Sequence, residues 1–368
     1  MNTKNLRDWT IELLRFMAAI GIAIFHFEWI YLEAPVYFRH FYILVEFYFV
    51  LGGFFLAHNV YLKEEKNEPY TELESLKYMI KQAKKLFPMY VIGVIFSFVV
   101  YCIYNRVTEV DNIVALLWRT KWELIYLQLS GIDISAPQMN GVTGYIPVLL
   151  ISGLCCHYLL RKYKHFTINV LCIIGPILIY SHIINVYGNL SQWGAYENWY
   201  CIGVLRGIAG LLVGIGAYYF GKYIFIEHKK DNHKSIRTIG VVLCIIFILL
   251  LVIISDKISY NDEVLYPYIF AILITCIYHR SVAITCKIEK VILLSGRISY
   301  NIFVFHYGIC YLFKYFTPDK PYRSIAVIFL IITLIFSILI EYIFILCKKL
   351  FKTRLEESSL HLHNRTHI

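Results

Sequence analysis

The stretch Ile11–Tyr31 reads IELLRFMAAIGIAIFHFEWIY. A helix needs about 20 apolar residues to cross the hydrocarbon core of a bilayer, and this stretch is long enough. It nevertheless holds Glu12, Arg15, His26 and Glu28. An ionisable side chain at bilayer depth costs several kcal/mol, so it is paired, reaches for the interface, or serves a function. At about 100° per residue, Arg15 and His26 fall within about 20° of one another on one helix face, about 16 Å apart. Glu12 precedes Arg15 by one turn and pairs with it as an i,i+3 neighbour. Two readings of Arg15 stand: an interfacial anchor that snorkels with Glu12, or a functional charge. His26 lies too deep to reach the near interface. It is either a buried histidine bonded to another helix or a working imidazole.

The rest of the chain follows the same pattern. Of 368 residues, 59% are hydrophobic and 16% charged, with a mean hydropathy of +0.60. A soluble domain of this length carries more charge. The composition predicts an all-α, polytopic integral membrane protein. Ten apolar segments are expected over 9–31, 41–62, 86–104, 143–160, 167–187, 199–221, 238–255, 263–279, 298–316 and 324–347. A further stretch, 113–131, carries Arg119, Lys121 and Glu123 beside Trp118 and Trp122, and reads as an amphipathic segment at the interface. With the N-terminus in the cytoplasm, this alternation places 25 Lys and Arg on the cytoplasmic side and 8 outside, the bias of the positive-inside rule. Both termini are then cytoplasmic. Residues 1–347 form the transmembrane domain and 348–368 a cytoplasmic basic tail. The net charge of +10 therefore faces anionic lipid and cytoplasmic anions, not nucleic acid. No cleavable signal peptide is expected, because the first segment is long and lacks a small-residue cleavage site. Most of the ten cysteines lie in apolar segments, where they act as small hydrophobes. The adjacent Cys155, Cys156 and His157 point in different directions on a helix, and no metal site is expected.

Polar residues inside the segments are the candidate site. The second segment contains VEFYFVLGGFF, with Glu46 at membrane depth and a Gly52-Gly53 pair that suits close helix packing. Ahead of the third, KYMIKQAKKLFPMY places Lys77, Lys81, Lys84 and Lys85 on one face before Pro88. That face is either an ordinary positive-inside cluster or a dock for a phosphorylated ligand. Arg206 opens a glycine-rich run in YCIGVLRGIAGLLVGIGAYY, and the loop before it, GNLSQWGAYENW, offers Gln192, Trp193, Asn198 and Trp199. Such aromatics suit an interfacial belt and also the apolar faces of a sugar ring. Segments seven, eight and ten read as lipid-facing scaffold. The ninth begins SGRISYNIFVFHYG, with Ser299, Tyr300 and Asn301 near its start and His306 two turns further in. Entering from the cytoplasm, His306 is expected nearer the level of Arg15 than of His26.

Taken together, these motifs resemble the integral-membrane acyltransferase-3 family, bacterial enzymes that O-acylate cell-surface sugars. The resemblance covers nearly the whole chain. It rests on Arg15 and His26, on Glu46 through Phe54 with Gly52 where the family has serine, on Lys81, Lys84, Lys85 and Pro88, on Arg206 before its glycines, and on Ser299, Tyr300 and His306. The family's basic motif carries arginines. Lysines here replace bidentate phosphate recognition with point charges. The chain ends soon after the tenth segment, so no fused hydrolase-like domain is expected.

The resemblance implies a multi-pass protein of the bacterial cytoplasmic membrane that moves an acyl group from cytoplasmic acyl-CoA, such as acetyl-CoA, to a hydroxyl of a surface polysaccharide or lipid-linked sugar. It implies His26 and Arg15 as catalytic residues, with Arg15, Lys81, Lys84, Lys85, Tyr300 and His306 serving the donor. Glu46, Arg206 and Trp193 would serve the acceptor. His26 would act either as a general base or as an acylated relay. Acetyl and succinyl both remain open, as does the oligomeric state. The competing class is a transporter or flippase for a glycan, which the buried charges would also suit. Against it, the chain has no inverted repeat and no paired broken helices.

Overall fold

The computed structural model describes residues 9–34, 36–124, 139–192, 196–197, 200–227, 259–278 and 286–365, with the single helical positions 242, 245 and 249. The described residues are predominantly helical. In chain order the helices are α1 (Trp9–Leu32), α2 (Leu44–Glu65), α3 (Glu74–Tyr104), α4 (Val110–Arg119), α5 (Tyr145–Lys162), α6 (Cys172–Tyr187), α7 (Ile202–Glu227), α8 (Leu265–Tyr278), α9 (Cys286–Phe316) and α10 (Tyr322–Arg365). A short antiparallel pairing of Tyr196–Glu197 with Tyr200–Cys201 precedes α7. Among the described residues, six helical stretches are long and apolar enough to cross a membrane: Trp9–Leu32, Phe41–Glu65, Glu74–Tyr104, Lys164–Tyr187, Ile202–Ile224 and Tyr322–Leu350. This is a multi-pass membrane protein. The expected segment 238–255 lies almost wholly outside the described residues.

α1 is the axis of the packing. One stripe, Ile11, Leu14, Ala18, Ile22 and Phe25, joins the core formed with α2, α6, α7 and α8. The other, Ala19, Ala23, Phe27 and Ile30, joins a second core with α3, α9 and α10. Both stripes follow the three-and-four spacing of a helix face, so α1 is apolar nearly all round because it is covered on two sides.

α2 and α7 pack backbone to backbone. A Cβ on Gly53 would lie 2.0 Å from the Leu211 carbonyl oxygen, and one on Gly214 would lie 2.0 Å from that of Val50. Only glycine permits either approach. Gly52 is different, since a Cβ there would meet side-chain atoms at 3.3 Å and beyond.

Several boundaries depart from expectation. α3 begins at Glu74 and runs unbroken through Pro88, so the lysine cluster belongs to the same helix as the apolar span. α9 begins at Cys286 and α10 continues to Arg365. α4 is only ten residues long. It leaves Val110, Val114, Leu117 and Trp118 exposed on one face, as an interfacial helix does. The scaffold reading holds for α10, whose Ile328, Ile331, Ile335 and Leu339 are exposed. It fails for α8, where Phe270, Ala271, Leu273, Ile274 and Ile277 are buried against α2 and α7. A helix that is apolar all round suits a protein core as well as lipid, and periodicity does not separate the two.

Candidate active site

α1 and α9 lie side by side and run parallel. Glu12 meets Gly296 near one end, His26 meets His306 further along, and Tyr31 donates to the Thr317 carbonyl beyond. A Cβ on Gly296 would fall 1.8 Å from Glu12 Oε2, so the glycine makes room for that carboxylate. Glu12 in turn holds Arg15 Nη1 at 3.0 Å, the i,i+3 pair expected from the sequence.

His306 is not level with Arg15. Its Nε2 lies 3.2 Å from His26 Nδ1, and the two rings are 5.2 Å apart between centroids. The reason is the early start of α9: His306 stands about 30 Å from the beginning of its helix and His26 about 26 Å from the beginning of α1, at about 1.5 Å per residue. The hydrogen bonds fix the tautomers. His306 Nδ1 faces the Ile302 carbonyl at 2.8 Å, and His26 Nδ1 faces that of Ile22 at 2.9 Å. A carbonyl only accepts, so each Nδ1 carries the hydrogen. The single His26 Nδ1–H is then shared between the Ile22 carbonyl and the lone pair of His306 Nε2. What remains on His26 is Nε2, unprotonated and free to take a proton.

His26 lines a cavity of about 590 Å³. Its walls are largely aromatic, with Trp29, Tyr42, Phe49, Tyr145, Phe303 and Tyr307 among them; Gln192 and Arg206 supply polar groups. Arg206, 3% exposed, pairs through Nε with the fully buried Glu46 Oε1. Tyr180 Oη donates to Glu46 Oε2 at 2.6 Å, and Arg206 Nη2 reaches the Tyr42 carbonyl at 3.4 Å.

Two further carboxylates brace the cavity. After α4 the chain turns inward, and Glu123 is 4% exposed. It accepts from the backbone N–H groups of Met139 and Asn140, each at 2.9 Å, and from Thr143 Oγ1 at 3.1 Å. Asn140 Nδ2 donates to the Val304 carbonyl of α9 at 2.7 Å. This clamp carries Gly141 and Val142 to the cavity wall, where a Cβ on Gly141 would lie 3.0 Å from Tyr307 Oη. Non-helical backbone among membrane helices survives only when its polar groups are satisfied in this way. At the other end, the fully buried Glu263 accepts from Tyr42 Oη and from the Leu190 N–H at 2.7 Å, with His40 Nδ1 at 2.9 Å. It ties the segment bearing Tyr42 to the loop bearing Ser191 and Gln192, both on the cavity.

The residues singled out in the sequence thus divide. His26, His306, Arg206 and Glu46 gather at or behind the cavity. Arg15 lies toward the other end of α1 and is not on the cavity wall. Lys81, Lys84 and Lys85 are exposed on α3. Tyr300 donates to the Leu86 carbonyl at 3.0 Å, beside that basic stretch. Trp193 lies outside the described residues. The aromatic wall, Glu123 and Glu263 escaped the sequence reading. Aromatics at helical spacing look like ordinary core; Glu123 sits in the stretch 113–131, which reads as interfacial, and Glu263 is the first residue of the expected apolar segment 263–279.

No curated protein and no solved structure matches the chain. A family model described as an acyltransferase domain, that of the acyltransferase-3 family, matches residues 8–342, from the threshold of α1 into the body of α10, and the chain belongs to this family of membrane acyltransferases.

Proposed function

We propose that the protein moves an acyl group from acyl-CoA on the cytoplasmic side of a bacterial plasma membrane to a hydroxyl of a surface polysaccharide or lipid-linked sugar. The observation that carries this reading is the His26–His306 pair at the wall of an aromatic cavity. Neutral His26 takes the hydroxyl proton on Nε2 as the sugar oxygen attacks the thioester carbonyl. The carbon–sulfur bond then breaks, and the proton passes to the departing thiolate. A general base of this kind contributes roughly 10²–10⁴-fold. His306 supports it from behind. Its Nε2 lone pair faces the His26 Nδ1–H, holds the ring in one tautomer and favours the positive charge His26 acquires. Both ring nitrogens of His306 are engaged, which favours a positioning role over donor binding.

Lys81, Lys84, Lys85 and Arg15 suit the anionic nucleotide end of the donor, with Tyr300 beside them. The pantetheine arm spans the distance from there to His26. The aromatic rings suit the C–H faces of a sugar, and Gln192 its hydroxyl edges; Arg206, backed by Glu46, is the charged group of the wall, and Trp193 follows Gln192 in the sequence. The test is mass spectrometry of surface glycans from cells carrying the wild-type chain, His26→Ala, or neither. Acyl ester that depends on the gene and disappears with His26→Ala is the expected result. Full acylation by a well-folded His26→Ala protein, or unacylated glycan trapped inside cells that lack the gene, would overturn it.

A further inference from the structure

Among the described residues on the cavity wall, Arg206 is the one permanent charge. It is not available to a ligand as a cation. Its Nε is paired with Glu46, which is 0% exposed and receives a second donor from Tyr180 at 2.6 Å. Gly210 keeps this arrangement tight, because a Cβ there would stand 3.1 Å from Glu46 Oε2 and 2.5 Å from the Phe49 Cβ. The wall therefore presents a guanidinium whose charge is already cancelled, set among aromatic rings. A carboxylate entering such a space loses its water and finds no counter-charge left over, which is strongly disfavoured. The donor's phosphates avoid this cost, since they lie at the far end of the pantetheine arm. A carboxylate on the acyl group itself has no such escape. In a succinyl thioester it sits a few bonds from the carbon that His26 must serve.

We propose that Glu46 masks the charge of Arg206, and that the cavity consequently accepts an uncharged short acyl group such as acetyl and rejects one ending in a carboxylate, such as succinyl. The proposal rests on the acyl-transfer reading above and names the acyl group that reading leaves open. The step itself is unchanged: the ester carbon–oxygen bond forms as the thioester carbon–sulfur bond breaks.

The test is a donor competition in membrane vesicles that hold the full chain and the cell's own envelope glycan. Acetyl-CoA and succinyl-CoA are supplied at equal concentration, and acetyl and succinyl esters on the glycan are counted by mass spectrometry. The wild-type chain is expected to favour acetyl by about tenfold or more, the discrimination that one uncompensated charge produces. Glu46→Gln keeps the shape but unmasks Arg206, and should move the ratio toward succinyl by about tenfold. The double variant Glu46→Gln with Arg206→Gln, which leaves no buried charge, should return it toward acetyl. A wild-type chain that transfers both groups equally overturns the proposal and leaves the acyl-transfer reading standing. So does a Glu46→Gln protein in which both activities fall together at a constant ratio, as a purely structural role would give. No ester from either donor ends both. Should Glu46→Gln fail to accumulate, the wild-type ratio still decides.

Discussion

Alanine at position 26 removes the imidazole and its basic Nε2, while His26 borders a cavity and carries little of the packing. Expression should hold while acyl transfer falls roughly 10²–10⁴-fold, read as label transferred per unit of protein in the membrane. Position 306 separates two roles. A glutamine there still offers an oxygen to the His26 Nδ1–H, and a leucine does not. If His306 positions His26, kcat should fall in the order wild type, His306→Gln, His306→Leu, with the donor KM unchanged. A rise in KM at constant kcat would assign it to the donor instead. Arg206→Ala is a poor probe of function, because it strands Glu46 in the core. Breaking a buried pair from one side costs about 3–5 kcal/mol, so a large loss of thermal stability is expected, and the double neutral variant should recover much of it. The sequence reveals Glu46 and Arg206 individually, since a charge in an apolar run stands out. It does not reveal that they meet, because the contact joins positions 46 and 206 across two helices.

Helix contacts decide how the side chains meet, and two neighbouring glycines make the point. Gly53→Ala would drive a methyl to 2.0 Å from a backbone oxygen of α7, whereas Gly52→Ala meets only side-chain atoms of Leu211 and Leu149 at 3.3 Å or more. The first should abolish accumulation of folded protein and the second should be tolerated, compared by size-exclusion profile in detergent. The GlyGly pair reads in sequence as a packing feature; which of the two is indispensable depends on the register of α7. The Glu123 clamp belongs to the same scale. Glu123→Ala leaves the Met139 and Asn140 N–H groups without their acceptor, at about 1–3 kcal/mol for each buried donor. A lowered melting temperature should accompany the loss of activity. The stretch around Glu123 reads as interfacial because its charges flank tryptophans, and that holds for α4. The inward turn that buries Glu123 leaves no periodic trace, since its partners are the backbone N–H groups of residues 139 and 140 and the Thr143 hydroxyl.

At the scale of the whole molecule, the lysine face of α3 and the cavity are distinct, since no lysine among the described residues lines the cavity wall. Exposed lysines sit on the first half of α3, a neutralised cavity lies deeper along α1, and one continuous helix joins the lysine face to the membrane span. The membrane class and the polar positions were legible because composition and isolated charges survive without coordinates. The depth of His306 was not, because it depends on where α9 begins, and the charged residues ahead of position 298 disguise helix as loop. This division of labour predicts a division of kinetic effects. Lys81, Lys84 and Lys85 are point charges on flexible stems and none of them lines the cavity, so on the proposed reading they serve the donor's phosphates and not the reacting carbon. Replacing all three with glutamine should raise the donor KM several-fold, more steeply at low ionic strength where screening is weak, and leave kcat near its wild-type value. Initial rates over a range of acetyl-CoA concentrations, at two salt concentrations, measure both terms. An unchanged KM with a reduced kcat would mean that the lysines act on the bundle and not on the donor, and the donor would then have to enter by another face.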